Sequence, residues 1–358
     1  MESRKIQTVG GGTYTVSLPK TWAEAHDLEA GSTVDLHTHV DGVLVVEARE
    51  PEAATGPVRV AVDDEPPVHL ERTLRAAYAA GVSAVRFETT DGFDGDQRRR
   101  IEAVARTMTG VTVAGESATQ VTVRTLLDPG SVSLAQSVRQ LTFVALSMHR
   151  DATAALSADG GIELADRDEQ ADRLAAMVDR HFARGLDRLD EIDALGRRRP
   201  ALFELWTTAR QLERVADHAE RIAATARGVA TDDDTVALLD DLAATARGVV
   251  EDAVSVIIDD AGVETAREAL RARDSVRERA TRIERERFDP AATDYRLVRV
   301  LDSLRRTAEL GGNVAETGLR AAVRCGQLAE PITVDTGTGD GDPLDTVADA
   351  GGRSPRQP

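Results

Sequence analysis

The sequence predicts a multidomain, mainly α chain. A β-rich segment spans 1–50, a small α/β unit 58–128, and two three-helix bundles 132–328. Three observations carry this prediction. Apolar residues recur with a period of two through 1–50. Short apolar runs alternate with amphipathic stretches over 58–128. From Ser133 onward the apolar period is helical almost without break. A length of 358 residues agrees, since it is long for a single core.

In the first region Tyr14, Val16 and Leu18 alternate with Thr13, Thr15 and Ser17, the pattern of a half-buried strand. Gly10-Gly11-Gly12 punctuates the strand before it, and Pro19 opens a short helix through Trp22 and Ala25. Val34, Leu36 and Val40 alternate again, and Asp41-Gly42 marks a hairpin turn before Val43 to Val46. So small a segment buries little apolar surface alone, so an intertwined partner copy is expected. Residues 51–57 read as a linker. Next come a strand at Val58 to Val62, a helix from Leu70 to Ala80 closed by Gly81, and a strand at Val85 to Thr89. A helix from Gln97 to Met108 and strands at Val111 to Ala114 and Gln120 to Leu126 complete an α/β unit whose role the sequence does not reveal. Six helices follow, at 133–157, 163–193, 200–227, 235–260, 263–288 and 294–325. Residues 329–358, rich in Gly, Asp, Thr and Pro, have little to bury and are expected to be disordered.

Composition narrows the function classes. The formal net charge of −18 argues against broad non-specific nucleic-acid binding, though not against a local basic patch. Lys5 and Lys20 are the only lysines, and the remaining cations are arginines. Acids spread along the whole chain suit solubility in concentrated salt, or equally a generic acidic cytosolic protein. One cysteine, Cys325, forms no internal disulfide, so a reducing, cytoplasmic setting is expected. The N-terminus lacks a signal-peptide core, and the best apolar run, Val249 to Ile258, is broken by Glu251 and Asp252. No direct membrane insertion is therefore expected. No nucleophile–base arrangement is visible, and Gly10-Gly11-Gly12 lacks the Gly-Lys-Ser/Thr ending of a phosphate loop. The chain is therefore read as not an enzyme.

The helical part echoes itself. Leu212-Glu213-Arg214-Val215-Ala216-Asp217-His218 agrees in apolar, charged and small positions with Leu304-Arg305-Arg306-Thr307-Ala308-Glu309-Leu310. The first run, continued by Ala219, resembles the repeated helix signature of the PhoU family. The later segment, ending Asn313-Val314-Ala315-Glu316, resembles its second copy, and Asn313 is the only asparagine in the chain. The resemblance spans about 132 to 328. It implies two similar three-helix bundles, regulation of phosphate uptake, contact with a phosphate-transport ATPase, and carboxylates that contribute to metal clusters. The sequence departs from the signature where Arg305 replaces an acid in the second copy. Arg221 and Ala224 replace Asn and Glu in the first.

Glu213 and Asp217 lie four apart on one helix face and repel unless a cation stands beside them. With Asp172 on the neighbouring helix they form the candidate metal site. Glu309 and Glu316 are the matching acids of the second half, and the cofactor expected is a divalent or trivalent metal ion. The competing reading is a solvated face, in which Arg210 and Arg214, three residues before each acid, pair with Glu213 and Asp217. That reading is favoured in the second half, where Arg305 stands in a ligand position.

Arg4 to Ala48 resembles the SpoVT/AbrB swapped-hairpin family, chiefly in Thr13-Tyr14-Thr15-Val16-Ser17-Leu18-Pro19-Lys20, then Trp22, Leu28 and Gly31. The resemblance implies a dimer of interlocked hairpins that binds DNA. Arg4, Lys5 and Lys20 would contact phosphates, and Thr13, Tyr14 and Ser17 would donate hydrogen bonds. Six acids in the same segment, Glu24, Asp27, Glu29, Asp35, Asp41 and Glu47, oppose this, and a hairpin that only dimerises is the alternative. His37 and His39 alternate with Asp35 and Asp41 and read as a solvated strand face. The expectation is a homodimeric phosphate-uptake regulator that binds DNA; the alternative is a dimeric adaptor docked on a phosphate-transport ATPase.

Overall fold

The computed structural model describes residues 3–40, 42–48, 57–157, 162–226, 232–288 and 294–327. The expectation for 329–358 lies outside them. The N-terminal region forms two separate hairpins. Strands β1 (Gln7–Val9) and β2 (Thr13–Thr15) pair antiparallel, with Thr8 opposite Tyr14. After helix α1 (Lys20–Ala25), β3 (Val34–Thr38) and β4 (Leu44–Ala48) pair antiparallel with Leu36 opposite Val46. The second turn is wider than Asp41-Gly42 alone suggested. The His39 amide donates to the Val43 carbonyl, and Val40 sits in the turn rather than in the strand.

A four-stranded sheet follows, in the order β5-β6-β8-β7, built from β5 (Val58–Ala61), β6 (Ala84–Glu88), β7 (Val111–Glu116) and β8 (Gln120–Thr125). The β5–β6 pair is parallel and needs a crossover, supplied by α2 (Pro67–Ala79); the other pairs are antiparallel. Helix α3 (Gly95–Thr107) starts at a capping box, in which the Asp94 carboxylate accepts from the Asp96 and Gln97 amides and the Gln97 side chain returns to the Asp94 amide. Both helices pack apolar stripes (Leu70, Leu74 and Tyr78; Ile101, Val104 and Ala105) into a core with Val85, Phe87, Val121 and Val123 of the sheet.

The remaining helices are α4 (Leu134–Ala154), α5 (Ala165–Asp187), α6 (Leu189–Leu195), α7 (Arg199–Ala226), α8 (Asp233–Ile258), α9 (Gly262–Arg287) and α10 (Tyr295–Arg324). Helices α4, α5 and α7 make one three-helix bundle and α8, α9 and α10 the other. The helix expected over 163–193 is broken: Arg188 is extended (φ −124°, ψ 124°), and α6 turns away as a separate element. The two bundles share one continuous core, because α7 packs on α10 and α4 on α8. The sequence echo is a packing echo. Leu212, Val215, Ala216, Ala219, Ile222 and Ala223 are all buried, and so are Leu304, Thr307, Ala308, Gly311, Val314 and Ala315. Gly311 stands at a close approach of α10 to α8, since a Cβ there would lie 2.9 Å from Val249 Cγ1 and 3.0 Å from the Val250 amide nitrogen. Asn313 donates from Nδ2 to Gln211 Oε1 at 3.2 Å, tying the second bundle to the first.

Candidate functional site

The first bundle carries an acidic seam along α5 and α7. Asp172 of α5 and Glu213 and Asp217 of α7 are half-buried and act on one another. Burial, then repulsion from Asp217, pushes the Glu213 carboxyl up, and Arg210 only partly offsets it. Burial raises Asp172 as well, with Arg75 of α2 opposing and Asp217 and Glu220 reinforcing. Asp168, one turn before Asp172 on α5, is pushed up to about 6 by burial and then by Asp172, Glu220 and Asp217. Asp168 and Asp172 share a helix face by the same four-residue spacing as Glu213 and Asp217, a signal the sequence offered.

The ion pairs of the competing reading, Arg210 with Glu213 and Arg214 with Asp217, do not form among the described residues. Arg210 reaches Asp179 at 3.3 Å, beside the Trp206 indole that donates to the same carboxylate at 2.7 Å. The partner of Asp217 is Arg221, at 3.9 Å, rather than Arg214. Asp172 and Glu213 have no ion pair among the described residues. In the second bundle, Glu309 pairs with Arg306 at 2.8 Å and Glu316 with Arg273 at 3.0 Å, while Arg305 turns to Asp302. Among the described residues, no group of three or more His, Cys, Asp or Glu is placed to hold one metal ion. The seam of the first bundle thus has the charge a cation seeks without a converged ligand set.

The seam has a thermodynamic consequence with an unusual sign. The raised folded-state pKa of Asp168 contributes stability that is fully present below about pH 4 and lost as pH rises through about 6. An Asp168→Asn chain should therefore be more stable than wild type at pH 7.5, by about 1 kcal/mol once solvent screening of this half-exposed group is allowed for. The advantage should shrink towards pH 4. Urea denaturation at both pH values in low salt measures it; a variant equally stable or less stable at pH 7.5 would mean the acids do not repel.

The other candidate surface is the first hairpin. Arg4, Lys5, Thr13, Tyr14, Ser17 and Lys20 are all exposed. The β1–β2 register places Thr13 and Thr15 on one face of the ribbon and Tyr14, 75% exposed, on the other. Lys20 meets Glu24 across one turn of α1 at 3.3 Å, with both side chains exposed. Among the described residues of 3–48 only His39 is buried. Ile6, Tyr14 and Leu36 are each more than 60% exposed, so the region has no core of its own.

His39 and His37 do not lie on a solvated face. His39, 4% exposed, places Nδ1 2.6 Å from Asp193 Oδ1 of α6, and His37 sits between Glu47 at 3.0 Å and Asp193 at 3.6 Å. The alternating pattern revealed the strand but not a partner so distant in sequence. On the helices, His149 is fully buried and pushed down to about 3, chiefly by burial and then by Arg247 and His218, so it is neutral. His181 lies 2.5 Å from the buried Glu191.

Comparison with known families falls on the same two regions. Residues 138–226 match the PhoU domain, and residues 7–54 match the family described as antidote-toxin recognition MazE, bacterial antitoxin. The chain thus carries a PhoU domain over α4 to α7, behind a MazE/AbrB-like N-terminal domain. Both families are regulatory and non-enzymatic. No curated protein and no solved structure matches the chain. Among the described residues, no helix is long and apolar enough to cross a membrane.

Proposed function

We propose that this chain is a cytoplasmic regulator of phosphate uptake that binds DNA as a homodimer through its N-terminal hairpins. The observation that carries this reading is the joining, in one chain, of a PhoU domain to an AbrB-like hairpin with an exposed cationic edge. Phosphate homeostasis is the theme of the first domain and DNA-bound regulation that of the second, at the level of their families. The test is retention of the purified chain on the upstream region of phosphate-uptake genes, at several salt concentrations including high salt. Retention that discriminates against unrelated DNA supports the reading. A chain that passes through at every salt concentration overturns it, leaving the rival: a dimeric adaptor docked on a phosphate-transport ATPase. The exposed apolar residues of the hairpin region favour dimerisation under either reading.

The acidic seam is the proposed place for a divalent or trivalent cation, with Asp172, Glu213 and Asp217 as its first contacts after side-chain rotation. Elemental analysis of protein purified without chelator tests this. No bound metal, and no uptake of Mg, Mn, Fe or Zn on addition, removes the seam as a metal site. Glu309 and Glu316, each held by an arginine, are weaker candidates for the same role.

A further inference from the structure

Helix α6 stands between three parts of the molecule, and its two central carboxylates face different ones. Glu191, fully buried, takes His181 Nδ1 at 2.5 Å on one oxygen and Arg184 Nε at 2.7 Å on the other. Burial raises this carboxyl, but the hydrogen bonds from His181 and Arg184 outweigh it and hold it below the ordinary range. Arg184 also donates to the Gly81 carbonyl at 3.2 Å, and Arg180, one turn earlier on α5, donates to the Tyr78 and Val82 carbonyls at 3.1 and 2.8 Å. These carbonyls form the turn that ends α2. Gly81 has φ +84°, and a Cβ there would lie 2.5 Å from Arg184 Cγ, so turn and arginine are fitted to each other. Two residues past Glu191, Asp193 reaches His37 of β3 and His39 at the start of the turn that follows it.

The two contacts differ in quality. Both oxygens of the buried Glu191 carboxylate are hydrogen-bonded, although His181 Nε2 beside it is buried without a partner among the described residues. The His39–Asp193 contact is close but poorly aligned: His39 Nδ1 and Nε2 and Asp193 Oδ1 are buried without a hydrogen-bond partner among the described residues. Buried polar atoms in that state carry a desolvation cost that exposure to water would relieve. Such a contact persists while its surroundings hold it and opens when they shift. A permanent rivet would be fully bonded, as Glu191 is.

We propose that α6 is a transmitting latch. Asp193 holds the β3–β4 hairpin against the helical domain through His39 and His37, and the grip depends on Glu191 fixing α6 to α5. Helix α5 also carries Asp168 and Asp172 of the acidic seam, so one rigid element joins the seam to the latch. The consequence for DNA rests on the DNA-binding reading proposed above; the latch itself does not.

The experiment is hydrogen–deuterium exchange on the full chain, followed over 34–48 and over α4 and α7, for wild type, Asp193→Asn, His39→Ala and Glu191→Gln. Asp193→Asn and His39→Ala should each speed exchange over 34–48 by tenfold or more and leave α4 and α7 unchanged. Glu191→Gln should act in the same direction although Glu191 touches no hairpin residue, which a merely local contact would not produce. A His39→Asp, Asp193→His exchange of partners should restore part of the protection. Wild-type exchange over 34–48 in both Asp193→Asn and His39→Ala would overturn the latch. An effect of those two without one from Glu191→Gln would overturn the transmission. Should Glu191→Gln loosen α4 and α7 as well, an Arg184→Lys chain replaces it, with the same expectation. DNA retention of the same proteins gives the second reading: a change of fivefold or more in affinity for the latch variants is expected. If wild type and variants alike fail to bind DNA, the DNA-binding reading falls while the exchange result still decides the latch.

Discussion

A chain lacking residues 1–50 should run as a monomer under conditions in which the full chain is a dimer. The expectation comes from what residues 3–48 fail to bury. The two hairpins are separate two-stranded ribbons, and isolated ribbons of that size are marginal in water. Val9, Val16, Leu18 and Leu44 are exposed along with Ile6, Tyr14 and Leu36, and His39 is the sole buried residue among those described there. Covering such side chains is worth about 1.5–3 kcal/mol each. Association costs roughly 4–15 kcal/mol. These seven side chains, interleaved with the same seven of a second copy, therefore suffice for a dimer at about micromolar concentration. The helical domain, by contrast, closes one continuous core of its own across its two bundles. Light scattering on both proteins at matched concentrations gives the answer. An unchanged oligomeric state after truncation would place the assembly in the α/β domain or the bundles instead.

The parts of the fold written in local patterns were legible in the sequence. The stripe from Leu212 to Ala223 and its counterpart from Leu304 to Ala315 repeat at matched positions, and each is buried as its spacing required. The strands and helices of 58–128 lie where alternation, Gly81 and Gly110 placed them, because those signals act within a few residues of the element they bound. The break at Arg188 was hidden because the nearest glycine, Gly185, lies within α5, where a Cβ would come within 3.3 Å of Ile192 of α6. It comes from folding α6 back so that Glu191 meets His181 and Arg184. His39 was misread for the same kind of reason: strand periodicity fixes which face a side chain takes, whereas what covers that face is set by Asp193. The pairing expected of Arg210 failed because a better-placed acceptor, Asp179, comes from another helix and also accepts from Trp206. Local spacing lists the partners a charge can reach; the packing of α5 on α7 chooses among them.

Replacing both lysines should remove most of the affinity for DNA and leave the dimer intact. Lys5 and Lys20 are the only lysines of the chain, and both lie in the region that matches or adjoins the MazE/AbrB-like domain. Both are exposed, and neither belongs to the alternating apolar set that a second copy would cover. Lys20→Ala also leaves Glu24 without its partner at 3.3 Å, which adds uncompensated negative charge to the surface that would meet phosphate. If the two ammonium groups contact phosphates, their loss weakens binding to every sequence alike, because phosphate contacts position a protein without reading bases. The plot of log affinity against log salt should become shallower by about 2, close to 0.9 for each released counterion. Between 50 and 200 mM salt that difference in slope alone amounts to about a tenfold change in the ratio of the two affinities. A Lys5→Arg, Lys20→Arg chain, which keeps both charges, should retain most of the binding and the original slope. Fluorescence anisotropy at four or more salt concentrations, for wild type and both variants, supplies the slopes. Equal affinities and slopes for wild type and the double alanine chain would make the hairpins a dimerisation device. Regulation would then run through protein partners of the PhoU domain.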